Sequence, residues 1–228
     1  MPMSSIAERL LDMHRQLPQG VTLVAVSKYH PAEDLMQAYA AGQRVFGENI
    51  VQELRTKQEM LPKDIQWHFI GHLQTNKVKY IAPFVAMIHA VDSYHLLEEI
   101  NRQALKNGRT IPVLLQIHVA KEETKFGFSF EECTDMLSNR PWRKLQGVEI
   151  SGLMCIASNT EDTEQVKAEF HSMNTYFGQL KDTFFAHSTA FARRSWGMSD
   201  DWPLALAAGS NMVRIGSHIF GPRTYPNP

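Results

Sequence analysis

The stretch VTLVAVSKYHP, residues 21–31, decides the fold of this 228-residue chain. Its first half is an apolar run typical of a buried strand, and Pro31 suits the first turn of a helix. An open, doubly wound sheet usually carries a glycine-rich phosphate turn after its first strand. The connection here is SKYHP, which contains no glycine, so the sequence favours a closed barrel.

Short apolar runs alternate with longer amphipathic ones along the rest of the chain. Strands that alternate with helices predict a parallel sheet, and eight of them suggest a (β/α)₈ TIM barrel. No low-complexity tract or linker interrupts the pattern, so we expect one α/β domain over residues 1–228. The predicted strands are 21–27, 44–46, 65–70, 85–91, 111–119, 145–154, 194–198 and 212–216. The predicted helices are 4–16, 31–41, 48–60, 75–81, 93–107, 129–138, 161–181 and 200–208.

Several predicted helix borders carry start or stop signals. Ser93 and Asp200 are candidate N-caps, and Gly42 and Gly108 fall where helices should end. The helix at 4–16 precedes the first strand, so we expect it to cover the gap beside the last strand.

The charge and hydropathy of the chain exclude two classes of partner. There are 23 basic and 24 acidic residues, and this balance argues against a nucleic-acid-binding protein. The first 20 residues make a poor signal peptide because charged residues interrupt them. The longest nearly apolar run, 81–91, is too short to span a bilayer. We therefore expect neither nucleic acid nor membrane as a partner.

The chain has two cysteines, Cys133 and Cys155. Two cysteines do not make a disulfide framework, and these two lack metal-ligand spacing. We interpret both as reduced thiols in the core of a soluble cytoplasmic protein.

Polar residues collect where the predicted strands end. In a TIM barrel the active site lies at the C-terminal ends of the strands, so these residues are the candidates for function. They are Lys28, Gly47, Glu48, Asn49, Gly71, His72, Gln74, Asp92, Ser93, the loop 122–128, Met154, and the segments 196–201 and 214–221.

The loops after the last two strands resemble a phosphate site. Barrels frequently bind phosphate with these loops and the N-terminus of a short helix. Ser199 offers a hydroxyl, and Gly216 and Ser217 offer backbone N–H groups and a second hydroxyl, which favour an anion. The alternative is that Ser199 only caps a helix and that residues 216–221 only form a closing turn.

Lys28 ends a core strand, where its charge would be partly removed from water. An ion pair with Glu48 or Asp92 would explain its position. Opposite a phosphate site, partial burial instead yields a nucleophilic amine that can form a Schiff base. Pyridoxal 5′-phosphate (PLP) has an aldehyde for that amine and a phosphate for the opposite loops.

Arg214 lies two residues before Gly216, on the inward face of the last predicted strand. A guanidinium donates hydrogen bonds and cannot accept them. Facing a pyridine nitrogen, it would keep that nitrogen unprotonated and the ring a weak electron sink. The alternative is a salt bridge inside the barrel.

Five motifs resemble the pyridoxal phosphate homeostasis protein family, also called the proline synthetase co-transcribed homologues. The motifs are AVSK (25–28), FGEN (46–49), WHFIGHLQTNK (67–77), GMSDD (197–201) and MVRIGSHIFG (212–221). The resemblance covers nearly the whole chain. It implies a single barrel similar to the N-terminal domain of alanine racemase, a fold-type III PLP protein.

The resemblance also implies roles for individual residues. Lys28 would hold PLP as an internal aldimine, and Arg214 would meet the ring nitrogen. The phosphate would be held by Ser199, Gly216 and Ser217. The residues around the ring would be Asn49, His72 and Met154. Two positions depart from the family pattern, Trp196 and Phe126, where methionine and a small residue are expected.

Members of this family have no well-established catalytic reaction and influence vitamin B6 and amino-acid pools. The resemblance therefore implies a monomeric carrier of PLP that is not an enzyme and that contacts apo-enzymes transiently. The other PLP interpretation is a racemase, which needs a second base, a tyrosine from an additional β-domain of a partner subunit. The chain ends at Pro228 with no room for such a domain, and neither Tyr29 nor Tyr225 lies in a motif.

A metal hydrolase is a third interpretation, because His68 and His72 stand four residues apart. The pattern around them is a strand followed by a loop, and no carboxylate motif lies beside them. We expect no metal site, with His68 in the core and His72 donating a hydrogen bond near the cofactor.

Overall fold

Eight parallel strands pair in chain order and close into a barrel in the computed structural model, which describes residues 5–120 and 126–222. The strands are Thr22–Val26 (β1), Val45–Glu48 (β2), Gln66–Phe69 (β3), Met87–Val91 (β4), Ile111–Ile117 (β5), Val148–Cys155 (β6), Arg193–Ser195 (β7) and Met212–Ile215 (β8). The predicted (β/α)₈ barrel is confirmed.

Helices surround the barrel. They are Ile6–Gln16 (α1), Ala32–Ala40 (α2), Val51–Met60 (α3), Val78–Ile81 (α4), Tyr94–Lys106 (α5), Phe130–Asn139 (α6), Thr163–Phe184 (α7), Trp202–Ala207 (α8) and Ser217–Phe220 (α9), with 3₁₀ turns at Thr75–Lys77 and Trp142–Lys144. Over the two described ranges, no helix is both long enough and apolar enough to cross a bilayer.

Strand β1 shows how side-chain alternation divides the core. Leu23 and Ala25 belong to the large apolar cluster that includes the helices, whereas Val24 belongs to a small cluster inside the barrel. This division follows from the period of two in a strand. Strand β1 also closes the barrel, because Val24 lies opposite Arg214 of β8 in the parallel ladder.

Helix α1 packs against α2 and α9, beside the junction of β8 and β1, as the sequence predicted. The Arg9 guanidinium donates from Nε to the carbonyl of Ile219 in α9 over 2.7 Å. A capping box between Ser5 and Glu8 begins the helix.

The observed helices differ from the predicted ones at several borders. Strand β2 runs to Glu48 and α3 begins only at Val51, since Glu48 is buried and pairs with β3. The predicted cap by Asp200 is wrong, because Asp201 precedes α8 and its carboxylate accepts from the N–H of Met198 instead. Helix α9 was not predicted, because a helix of four residues is too short to show the helical periodicity of apolar residues. The predicted cap by Ser93 is confirmed, with its hydroxyl accepting from the N–H of Leu96 over 3.2 Å.

Candidate functional site

A cavity of about 390 Å³ opens at the C-terminal ends of the strands, and its lining is polar as well as apolar. It brings together seven of the eight residues predicted for the site: Lys28, Asn49, His72, Ser199, Arg214, Gly216 and Ser217. Met154 is not part of this lining. It is fully buried in the small cluster inside the barrel, and Ile156, two residues further along the same face, lines the cavity instead.

Lys28 is half-buried and follows the end of β1 by two residues. The two carboxylates offered as its ion-pair partners hold other groups. The Glu48 carboxylate lies 2.7 Å from the ammonium of Lys57, and the Asp92 carboxylate lies 2.9 Å from Nδ1 of His72. Neither carboxylate therefore depends on Lys28 for a partner.

The loops after β7 and β8 meet at Ser199 and Gly216. The backbone N–H of Gly216 donates to the Ser199 hydroxyl over 3.3 Å. A Cβ atom at position 216 would lie 3.0 Å from the carbonyl oxygen of Val26, so glycine lets this loop approach the end of β1. Ser217 opens α9 with an exposed hydroxyl, and the first N–H groups of any helix lack partners within the helix.

Arg214 lies at the inner wall of the cavity and is 4% exposed. One terminal nitrogen, Nη1, donates to the carbonyl and the hydroxyl of Ser195 over 2.6 and 2.8 Å. The other, Nη2, donates to the carbonyl of Cys155 over 2.8 Å. These partners are neutral, unlike those of the salt bridge that the sequence left open. They fix the plane of the guanidinium and leave its charge inside the barrel.

A chain of buried hydrogen bonds continues from Arg214 across the barrel interior. The Ser195 hydroxyl lies 3.1 Å from Nδ1 of His89, and Nε2 of His89 lies 2.9 Å from Nδ1 of His68. Because Arg214 can only donate, the hydroxyl of Ser195 accepts from it and forms its second side-chain hydrogen bond with His89. His89 thus joins Ser195 to His68 through its two ring nitrogens.

Burial keeps both histidines of this chain neutral near neutral pH. Desolvation lowers the pKa of His68 to about 3 and that of His89 well below its ordinary value. His68 and His72 do not share a site, because His68 contacts His89 inside the barrel whereas His72 pairs with Asp92 at the rim. Over the described ranges, no group of three His, Cys, Asp or Glu side chains is arranged to hold a metal ion.

Two aromatic rings form one wall of the cavity. The Phe126 ring stacks on the His72 ring with centroids 3.8 Å apart and planes at 13°. The backbone of Phe126 is held by Gln116, whose side-chain Nε2 donates to its carbonyl over 2.7 Å. The departure from the family pattern at position 126 thus shapes the cavity. The other departure, Trp196, is fully buried in the large core cluster and is not part of the lining.

Sequence reasoning missed several residues of the lining. Gln116 is a single polar residue within the apolar strand β5, a signal that was present in the sequence. His30 also lines the cavity, and nothing in its spacing marks it, whereas Asp200 of the lining belongs to the predicted segment 196–201. Desolvation lowers the pKa of His30, which lies 3.5 Å from the Asp34 carboxylate.

Comparison with known proteins identifies the family. The family model for the alanine racemase N-terminal domain matches residues 2–224. The pyridoxal phosphate homeostasis protein of Aquifex aeolicus is 36% identical over 227 residues, which are 98% of this chain and 97% of that protein. The protein of the same name from Escherichia coli K12 is 38% identical over 213 residues, 91% of this chain and 88% of that one.

A solved structure agrees with these relatives. PipY of Synechococcus elongatus PCC7942, determined with PLP bound, is 39% identical and superposes with a TM-score of 0.86, covering 95% of this chain and 100% of that one. Fold and sequence thus agree over nearly the whole chain. The chain belongs to the pyridoxal phosphate homeostasis protein family.

Proposed function

We propose that this protein binds PLP in the cavity at the C-terminal ends of the strands and serves vitamin B6 homeostasis as a carrier of the cofactor. One observation carries the proposal. The cavity brings an amine, a buried guanidinium and two joined hydroxyl-bearing loops to one space of about 390 Å³. A PLP-bound relative with the same fold supports it.

The residues present fit the chemical groups of PLP. Lys28 supplies a half-buried amine for the aldehyde, so we propose a covalent Schiff base at this residue. The phosphate would accept hydrogen bonds from the hydroxyls of Ser199 and Ser217 and from N–H groups at the start of the loop after β8. Asn49 and His72 would flank the ring. When bound, PLP supplies an electrophilic carbon and a conjugated ring that can accept electron density.

Arg214 would meet the pyridine nitrogen of PLP. Because its hydrogen-bond partners are uncharged, the guanidinium is not neutralised by them. It would donate a hydrogen bond to the pyridine nitrogen, which would then remain unprotonated. An unprotonated ring withdraws electrons weakly, which disfavours loss of a proton from a bound amino acid. Among the described residues that line the cavity there is no tyrosine to act as a second base. Tyr225 lies outside the described residues.

We further propose that the protein works as a monomer in the cytoplasm and delivers PLP to apo-enzymes through transient contacts. Both cysteines are free and buried, as reduced core thiols are. Holding a reactive aldehyde on a protein amine keeps its free concentration low while leaving it transferable.

Borohydride reduction followed by peptide mass mapping tests the proposal. The protein incubated with PLP should carry the reduced adduct on Lys28, and the Lys28→Ala variant should carry none. The Lys79→Ala variant, which removes an exposed lysine of α4 outside the cavity, serves as the matched control and should label like the parent. An adduct spread over surface lysines, with no preference for Lys28, would show that the assignment is wrong.

A second measurement addresses catalysis. Incubation of the PLP-loaded protein with L-alanine, followed by chiral chromatography, should show negligible formation of the D-enantiomer. Rapid enantiomer exchange that disappears in Lys28→Ala would replace the carrier assignment with a racemase.

A further inference from the structure

We propose that Lys57 is a positioning residue, which with Glu48 and Glu53 fixes the backbone on both sides of Lys28. We call Lys57, Glu48 and Glu53 the clamp. The inference rests on the proposed function, since it assigns the clamp a role in presenting the Lys28 amine to PLP. Lys57 lies in α3, 29 positions along the chain from Lys28 and outside the lining of the cavity.

The Lys57 ammonium is buried, and all three of its hydrogens have partners. It donates to the carbonyl of Ser27 over 2.8 Å, and to carboxylate oxygens of Glu48 and Glu53 over 2.7 Å each. An ammonium has three donors, so the clamp uses its full capacity. One cation thus joins the ends of β1 and β2 to the helix that follows β2.

The residue before Lys28 is held at two points. The carbonyl of Ser27 accepts from Lys57, and its hydroxyl donates to Oε1 of Glu48 over 2.6 Å. Ser27 is fully buried. Its position is therefore set by the clamp and by the backbone bond from its N–H to the carbonyl of Gly47.

The residue after Lys28 is held by the same clamp. The N–H of Tyr29 donates to Oε1 of Glu53 over 2.7 Å, the same oxygen that accepts from Lys57. Tyr29 has φ 66°, the left-handed conformation that residues other than glycine rarely adopt. Such a conformation persists only where the surroundings enforce it. The bond to Glu53 does so here and turns the chain directly after Lys28.

The composition of the clamp argues against a role in stability alone. Two carboxylates share one ammonium, and Oε2 of Glu48 is buried without a hydrogen-bond partner among the described residues. Burial raises the pKa of Glu48 to about 7, so desolvation outweighs the attraction of Lys57. Buried ion pairs often stabilise a fold less than apolar residues of the same size would. What this clamp provides is a fixed geometry at residues 27 and 29.

The test compares covalent capture with reversible binding. Lys57→Met keeps the length of the side chain and removes its donors. Stopped-flow absorbance at matched PLP concentration, with borohydride trapping and mass mapping, should show capture on Lys28 slowed about tenfold or more, because small displacements of a reacting group reduce rates strongly. Pyridoxamine 5′-phosphate has no aldehyde, and its affinity should stay within about twofold of the parent value, since none of the three hydrogen bonds of the Lys57 ammonium goes to the phosphate loops.

Two further variants separate positioning from folding. Glu53→Gln retains an oxygen acceptor for the N–H of Tyr29, whereas Glu53→Leu removes it, so capture should be slower in Glu53→Leu than in Glu53→Gln. In the cofactor-free protein, the rate at which acetic anhydride labels Lys28 should differ more from the parent rate in Glu53→Leu than in Glu53→Gln. Lys79→Met is the control for loss of a lysine. If Lys57→Met fails to fold, the two Glu53 variants carry the test.

The outcomes distinguish the clamp from the proposed function. If the parent protein forms no adduct on Lys28, the proposed function fails and the clamp has no such role. If the parent forms the adduct and the Lys57 and Glu53 variants form it at the parent rate, the clamp is wrong and the function stands. Equal losses in PLP capture and in pyridoxamine phosphate affinity would also contradict it, because they indicate general damage to the cavity.

Discussion

The backbone N–H of Gly216 donates to the hydroxyl of Ser199 over 3.3 Å, which joins the loops after β7 and β8 at one point of the cavity wall. The two residues are 17 positions apart in the chain. Their contact places a side-chain hydroxyl beside the start of α9, where the next hydroxyl belongs to Ser217. An anion at this point would meet donors from both loops at once.

Removing either hydroxyl should weaken retention of PLP. We expect Ser199→Ala and Ser217→Ala each to lower the affinity about tenfold, since a hydrogen bond to a charged group contributes about 1.5 kcal/mol or more. The visible absorption of bound PLP should be unchanged, because Lys28 is untouched. Equilibrium dialysis measures the effect, with Ser138→Ala on the exposed face of α6 as the control. Parent affinity in both cavity variants would contradict the phosphate assignment.

Shortening the aromatic wall should speed the release of PLP. Phe126→Ala removes the ring that stacks on His72 at 3.8 Å, and stacked aromatic pairs contribute about 0.5–1.5 kcal/mol. We expect release to be about two- to tenfold faster, followed as loss of PLP absorption in the presence of excess hydrazine scavenger. Leu11→Ala, which changes an exposed residue of α1 outside the lining of the cavity, should release PLP at the parent rate. An unchanged release rate in Phe126→Ala would mean that the stacked rings do not slow the release of PLP.

The buried state of His68 should appear in the pH dependence of stability. Its pKa is about 3 in the folded protein and near 6.5 ordinarily, so between these values the unfolded chain binds a proton that the folded chain does not. The free energy of unfolding therefore falls as the pH falls from 6.5, by about 1.4 kcal/mol per pH unit for this group.

The matched variant is His68→Gln, whose amide can still form a hydrogen bond with His89 and whose side chain does not titrate. Urea unfolding at several pH values between 4.5 and 7.5 should show a shallower acid loss in this variant than in the parent. Parallel curves for the two proteins would mean that His68 is protonated in the folded state.

Gly152 should be the most sensitive glycine of the barrel wall. Its φ is +153°, and a Cβ atom there would lie 1.8 Å from the carbonyl oxygen of Arg193 in β7. Gly152→Ala should therefore destabilise the protein by about 3 kcal/mol or more, through displacement of β7. Gly178→Ala in α7 is the matched control, because nothing lies within 4 Å of its added Cβ. That variant should gain about 0.5–1 kcal/mol, and thermal unfolding compares the two.

The sequence predicted the barrel and most of the cavity lining because both depend on regular spacing. Parallel strands bring their C-terminal ends to one face whatever the side chains are, so Lys28, Ser199 and Gly216 could be placed together. Depth along a strand is a finer property. Met154 lies in β6 and Ile156 directly follows that strand, and only the stagger of the barrel decides which of them reaches the cavity.

Contacts between distant side chains could not be predicted. Nothing in the spacing of Lys57 shows that its ammonium reaches back to Ser27. The residues around it in the sequence do not distinguish it from an exposed lysine of a helix. The chain from His68 to Arg214 joins four different strands, so its partners appear only when the barrel closes. Trp196 shows the converse, since a departure from the family pattern that suggested a changed cavity wall is fully buried in the core.

The pairing of β1 with β8 has a consequence for synthesis on the ribosome. Val24 lies beside Arg214, so β1, which is synthesised first, can pair on that side only after β8 has been synthesised. A nascent chain that has not yet released residues 193–222 lacks one side of the cavity wall, including Arg214 and the joined loops. The pocket therefore forms only after Ser217 has left the ribosome, and a shorter nascent chain cannot sequester a small molecule there.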